Sequence, residues 1–174
     1  KTGTLNCNNL NLSSTGGNDN RDAFVVLTSG TLNAAGTISM DATNLRTYIR
    51  FNGGGTVNVQ GTISGGGITR TAGGGTNAPN AGTVNYNNSG NQNVGAYTYY
   101  NLTISGSGNK SLTGNTAVNG SLTLNSGILQ LGTNNLTLVT AASSNILGGP
   151  FSSTCMVETN GTGYLEQQIP PTTP

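Results

Sequence analysis

Short apolar runs alternate with polar positions along this chain, and each run is closed by Asn, Ser or Gly. In Ser121–Leu138, SLTLNSGILQLGTNNLTL, three such runs start at Ser121, Ile128 and Asn135, seven residues apart. Apolar–polar alternation marks a strand with one face buried. No window places apolar residues at helical spacing over three turns, and Thr, Val, Ile, Asn and Gly are poor helix formers. The pattern predicts strand, turn and strand again, at a very short pitch.

One phrase punctuates the first half: Gly3-Thr4-Leu5-Asn6, Gly30-Thr31-Leu32-Asn33, Gly55-Thr56-Val57-Asn58 and Gly82-Thr83-Val84-Asn85, at offsets of 27, 25 and 27. A second phrase, GTIS, stands at Gly36–Ser39 and Gly61–Ser64, again 25 apart. A period in the twenties built from such short runs is the signature of a solenoid. Sandwich strands are longer, with turn signals about every 8–12 residues.

The expected fold is therefore all-β, a parallel β-helix (β-solenoid) of about six to seven rungs with roughly three short strands per rung and no substantial α-helix. SLTL, ILQL and NLTL would be the three sides of one rung, and earlier rungs would carry longer corners, such as Gly65–Gly82. Strand alternation points Leu5, Leu32, Val57 and Val84 inward as one ladder, with rungs about 4.8 Å apart. Ile38 and Ile63 form a second ladder, and Leu122, Leu124, Ile128, Leu131, Leu136 and Leu138 are further core positions. The Thr and Asn of each phrase point outward.

Residues 1–150 are expected to form the solenoid. Residues 151–174 would supply a terminal rung and, through EQQIPPTTP, a proline-rich exit segment leading to a linker or a next module. The chain opens almost directly on a repeat phrase, as would a segment of a longer array or a subunit that stacks end to end.

Composition narrows the function. Only 6% of the 174 residues are charged, the net charge is +1, and His and Trp are absent. Six scattered basic residues make no phosphate-tracking stripe, so nucleic acid is not an expected partner. No apolar run reaches bilayer-spanning length, so membrane insertion is not expected either. Cys7 and Cys155 fall near opposite ends of a rod about 30 Å long. A disulfide needs Cα atoms within about 7 Å, so no bond between them is expected within one chain.

Candidate chemistry is sparse. The acids are Asp19, Asp22, Asp41, Glu158 and Glu166, and only Asp19 and Asp22 are close in sequence. Without His, the usual proton carrier near neutral pH is missing, and no candidate base adjoins a Ser or Thr. The expectation is no enzyme, no catalytic residue and no cofactor. In Gly16–Phe24, GGNDNRDAF, the oxygens of Asn18, Asp19, Asn20 and Asp22 raise the question of a Ca²⁺ loop. Their spacing fits neither the EF-hand nor the nonapeptide calcium repeat, so a solvated corner is the preferred reading and no metal is assigned. Tyr97, Tyr99 and Tyr100, with Tyr86 nearby, would offer flat faces to a sugar or plug a solenoid corner. The outward rows Thr4/Asn6, Thr31/Asn33, Thr56/Asn58 and Thr83/Asn85 have the regularity of an ice-binding face. They never become Thr-x-Thr, which favours stabilising ladders instead.

The stretch Gly82–Leu138, with GTVNY, YYNLTISGSGNKSL and LTLNSGILQLGTNNLTL, resembles modules of very large secreted surface proteins of the Bacteroidota. The tail CMVETNGTGYLEQQIP is similar to the phrase that closes such modules. The resemblance implies a β-solenoid module of an exported, adhesin-like protein at the bacterial cell surface. The expected role is structural: a rod-like spacer of an adhesin, or a stacking subunit of a surface filament. Partners would be further copies end to end or neighbouring modules of the same chain, with surface glycans as a further class. A carbohydrate- or surface-binding module is the second reading, with ice binding behind it.

Overall fold

The computed structural model describes residues 3–13, 23–41, 47–68, 81–139 and 147–168. These residues form seven rungs of three short strands, with no helix among them. Rung one holds β1 (Thr4–Cys7), β2 (Leu10–Leu12) and β3 (Ala23–Leu27); rung two holds β4 (Thr31–Ala34), β5 (Ile38–Met40) and β6 (Thr47–Phe51). Rung three holds β7 (Thr56–Val59), β8 (Ile63–Ser64) and β9 (Gly67–Ile68); rung four holds β10 (Thr83–Tyr86), β11 (Gln92–Val94) and β12 (Thr98–Tyr99). Rung five holds β13 (Asn101–Ile104), β14 (Asn109–Leu112) and β15 (Thr116–Val118); rung six holds β16 (Leu122–Leu124), β17 (Gly127–Gln130) and β18 (Leu136–Leu138). Rung seven holds β19 (Leu147–Gly148), β20 (Cys155–Glu158) and β21 (Leu165–Gln167).

Every pairing between rungs is parallel, so the chain is a three-faced parallel β-solenoid. The first face runs unbroken as β1-β4-β7-β10-β13-β16-β19. The second is β2-β5-β8 and then β11-β14-β17-β20, and the third is β3-β6-β9 and then β12-β15-β18-β21. Two faces thus break at the same level, between rungs three and four, while the first carries on through it.

Register follows the repeat phrases. Leu5 lies beside Leu32, Leu32 beside Val57 and Val57 beside Val84, and the column continues through Leu102 and Leu122 to Leu147. Leu10, Ile38 and Ile63 form the corresponding column on the second face. Leu32, Val57, Val84, Ile38, Ile63, Leu122, Leu124, Leu131, Leu136 and Leu138 are all buried. Each fully buried aliphatic side chain is worth about 1.5–3 kcal/mol.

Three expectations need correction. Leu5 keeps its place in the column but is 54% exposed, because it belongs to the outermost described rung and has a neighbour on one side only. Ile128 is half-buried on the outer surface, between Asn109 and Met156. β17 begins one residue earlier, at Gly127, so Gly127, Leu129 and Leu131 take the inward positions instead. The corner expected over Gly65–Gly82 contains a strand, Gly67–Ile68, whose Ile68 extends the inner column of Ile49; residues 69–80 lie outside the described residues.

Outside, the asparagines of the phrase bond along the rod. Asn33 Nδ2 donates to Asn6 Oδ1 at 2.7 Å, Asn58 Nδ2 to Asn33 Oδ1 at 2.8 Å, and Asn85 Nδ2 to Asn58 Oδ1 at 2.9 Å. Ser105 Oγ ends the chain by donating to Asn85 Oδ1 at 2.7 Å. Such ladders form only when identical side chains repeat at the rung spacing. The glycine opening the phrase turns the corner onto the first face: Gly30 and Gly82 have φ of +106° and +83°, where L side chains are strained. A Cβ at Gly82 would also run into the Phe51 ring at the end of β6.

Gly82→Ala is therefore expected to cost about 2–4 kcal/mol, combining backbone strain and overpacking, read as a lower midpoint in urea unfolding. Asn58→Ala, which removes two ladder bonds, should cost about 1–2 kcal/mol. Asn6→Ala, which removes one bond at the exposed end, should cost less. Equal midpoints for the two Asn variants would show that the ladder contributes nothing.

Candidate functional site

Polar side chains gather at the break between rungs three and four. On the first face the two rungs stay in register as far as Tyr86 over Val59, and the Asn87 amide still donates to the Val59 carbonyl at 3.1 Å. The following corner is longer in rung four, 87–91, than in rung three, 60–62. β11 consequently does not enter the second face paired with β8. Side chains take over from the missing backbone bonds. Asn88 Nδ2 donates to the Gln60 carbonyl at 2.6 Å, and Gln92 Nε2 donates to the carbonyls of Val59 and Gly61 at 2.8 and 2.7 Å. Gln92 Oε1 accepts the Asn88 amide at 3.1 Å, so this buried amide side chain is satisfied at both ends.

Two tyrosines complete the interior here. Tyr86 and Tyr99 are both fully buried, with rings edge to face at 6.3 Å and hydroxyls 2.9 Å apart. Tyr99 donates to the Gly95 carbonyl at 2.6 Å, and the Gly95 amide donates to the Tyr86 oxygen at 3.1 Å. With the Tyr99 proton so committed, the Tyr86 hydroxyl donates to Tyr99. The circuit closes on Gly95, whose amide and carbonyl find in two phenols the partners that an adjacent strand would have supplied. Desolvation raises the pKa of Tyr86 well above the ordinary phenol value, and does the same at Tyr99.

Lys110 occupies an inward position between Gln92 and Leu129 and is fully buried. Its Nζ donates to the carbonyls of Asn88, Gly90 and Ser107 at 3.0, 2.8 and 2.6 Å, which uses all three ammonium protons. The side chain thereby ties the first corner of rung four to that of rung five. Burial lowers its pKa below the usual lysine value.

The three tyrosines read as a sugar-stacking patch are not brought to one surface, and the first of them is Tyr97. It is half-buried at the edge of an open cleft along the break, and its hydroxyl donates to the Gly65 carbonyl at 2.6 Å. Desolvation pushes its pKa up to about 12. Tyr99 is sealed inside and cannot meet a ligand, and the half-buried Tyr100 does not line the cleft. Asp19 and Asp22 lie outside the described residues. Among the described residues no three His, Cys, Asp or Glu side chains cluster as metal ligands. Glu158 Oε2 accepts from Gln130 Nε2 at 2.6 Å, and Glu166 Oε2 accepts the Thr137 hydroxyl at 3.4 Å, on two different faces of the last rung. Cys7 and Cys155 are free thiols in the first and last rungs, directed at the carbonyls of Asn33 and Leu124.

Gln92 and Lys110 were not anticipated as interior residues. Their parity with Val94 and Leu112 was the available signal, since strand residues two apart share a face. No family model, curated protein or solved structure matches the chain.

Stability is expected to vary little near neutral pH and to fall above pH 10. The unfolded chain loses phenolic protons from its ordinary pKa of 10.0, while folded Tyr86 and Tyr99 keep theirs. Each of these two then lowers stability by up to about 1.4 kcal/mol per pH unit, with partly solvated Tyr97 contributing less. Lys110 acts the other way, its penalty easing as pH approaches 10.5, but it is one group. Urea midpoints at stepped alkaline pH, with a shallower decline in Tyr99→Phe, check this. Lys110→Met, which strands three carbonyls, should cost about 2–4 kcal/mol by the same measurement at pH 7.

Proposed function

We propose that the protein is a structural rod of the bacterial cell surface, acting as a spacer in an adhesin or as a stacking subunit of a surface filament. The observation that carries this reading is the first face, whose parallel ladder runs through all seven rungs without a break. A pull along the axis is shared by many short backbone bonds and by the Asn6–Asn33–Asn58–Asn85 chain. The chemistry agrees with a passive part. The described carboxylates Asp41, Glu158 and Glu166 stand apart on the rungs, and we assign no catalytic residue and no cofactor. The exposed edge of β1, with Leu5 and its column open to one side, and exposed Tyr164 and Leu165 at the last rung supply surfaces for a further rung. A second copy, or an adjoining module of the same chain, fits there by continuing the same ladder.

Single-molecule pulling between the termini should meet a resolved rupture force. Its first event should separate the chain at the third–fourth rung break, where two of three faces lack strand pairing among the described residues. Extension without measurable resistance would remove the load-bearing role. Electron microscopy of the purified protein distinguishes the two forms: end-to-end filaments abolished by Leu5→Lys identify a stacking subunit, and discrete rods about 30 Å long identify a spacer.

A further inference from the structure

The break that weakens two ladders also opens the outer surface. A cleft of about 560 Å³ runs along it, within the size range of small-ligand sites. Through Thr62 and Asn93 it continues into a second depression of about 250 Å³. Among the described residues no charged side chain lines either one. That rules against anions, which need basic donors, and against metal ions, which need carboxylates. Ile63, Ala96 and the Tyr97 ring supply apolar area to the larger cleft.

What the walls offer is neutral: apolar area with hydroxyl and amide groups set in it. Thr62, Ser64 and Asn93 make no side-chain hydrogen bond to another described residue, so their donors and acceptors face the cleft unspent. The Thr113 hydroxyl donates to the Val94 carbonyl at 3.0 Å and leaves its lone pairs free to accept. Tyr97 spans the break as a fixed plate. Its hydroxyl is anchored on Gly65, its edge meets Tyr99 at 6.2 Å and 90°, and it lies so close over Gly95 that a Cβ there would strike the ring. A rigid aromatic surface among hydroxyl and amide groups matches a pyranose ring, which has an apolar C–H face and hydroxyl edges.

We propose that this cleft binds a neutral oligosaccharide, with one sugar ring against Tyr97 and the next reaching the second depression past Thr62 and Asn93. This goes beyond the structural role and does not depend on it: a rod with or without load-bearing function has the same cleft.

Isothermal titration of the whole chain with di- to hexasaccharides of the malto, cello, xylo, manno and galacto series tests it, with oligogalacturonates as the charged comparison. Saturable heat is expected with at least one neutral series and none with the oligogalacturonates. Asn93→Ala and Ser64→Ala, both at exposed positions, should each weaken binding by about tenfold or more, equivalent to about 1.4 kcal/mol. Tyr97→Phe, which keeps the plate, should retain binding, and Tyr97→Ala should abolish it. Thermal melts establish that each variant is folded; if Tyr97→Ala is not, Asn93→Ala and Ser64→Ala decide. No saturable heat with any neutral series, equal binding of oligogalacturonates, or unchanged affinity in both alanine variants would overturn the proposal.

Discussion

Parallel pairing in strict register, one rung over the next, is the constraint on which everything else in this molecule rests. It brings equivalent residues of successive turns within a strand spacing of each other, so that a preference expressed once per turn becomes a column. Inside, the columns are aliphatic and fill a thin prism with no second layer to help. Outside, the same geometry turns an isolated, weakly stabilising asparagine into part of a hydrogen-bonded series from Asn6 to Asn85. A core this narrow buries few side chains per residue of chain, so the backbone ladder carries an unusual share of the stability.

The level between rungs three and four shows what happens when the constraint lapses. A corner lengthened from 60–62 to 87–91 displaces the following strand, and two faces lose their pairing. The exposed amides and carbonyls are then met by Asn88, Gln92, Tyr97 and the Tyr86–Tyr99 pair. Buried polar groups must find partners, and here the partners are long side chains able to cross a wider gap than a backbone bond can. Features that would be unremarkable on a loop become interior necessities because of where the ladder fails. The surface cleft is the outer side of the same displacement.

The repeat phrases made much of the fold legible. Gly-Thr-Leu/Val-Asn located four strands of the first face and their register, and GTIS located the Ile38–Ile63 pairing. SLTL, ILQL and NLTL were recognisable as the three sides of one rung because its corners are short. Legibility ended where punctuation and parity disagreed. Ile128 looked like a core residue by its chemistry, but Gly127 starts the strand and shifts the inward set by one. Gly67–Ile68 was hidden in a glycine-rich corner because a two-residue strand leaves almost no pattern. The cleft was least legible of all. It depends on a difference in length between two corners stacked in space, and nothing in either corner alone expresses that difference.

A ladder of repeated residues also has a weakness: it does not distinguish its own next rung from the one after. The Thr-Leu/Val-Asn phrase on the first face fits equally well if the stack slips by a full turn, since Leu32, Val57 and Val84 are nearly interchangeable. Residues that occur once must fix the order. Lys110 reaches the carbonyls of Asn88 and Gly90 only when rung five lies on rung four, and the Tyr97 hydroxyl reaches the Gly65 carbonyl only when rung four lies on rung three. Burying an ammonium is costly for a core this small, and an aliphatic replacement at Lys110 would satisfy the column as well. What it would not do is set the register. At the first rung the described edge of the first face carries only the repeat phrase itself, in Thr4, Leu5 and Asn6. The stack is thus generic where the phrase repeats and specific at rungs three to five, where Tyr97 and Lys110 bond from one rung to the next.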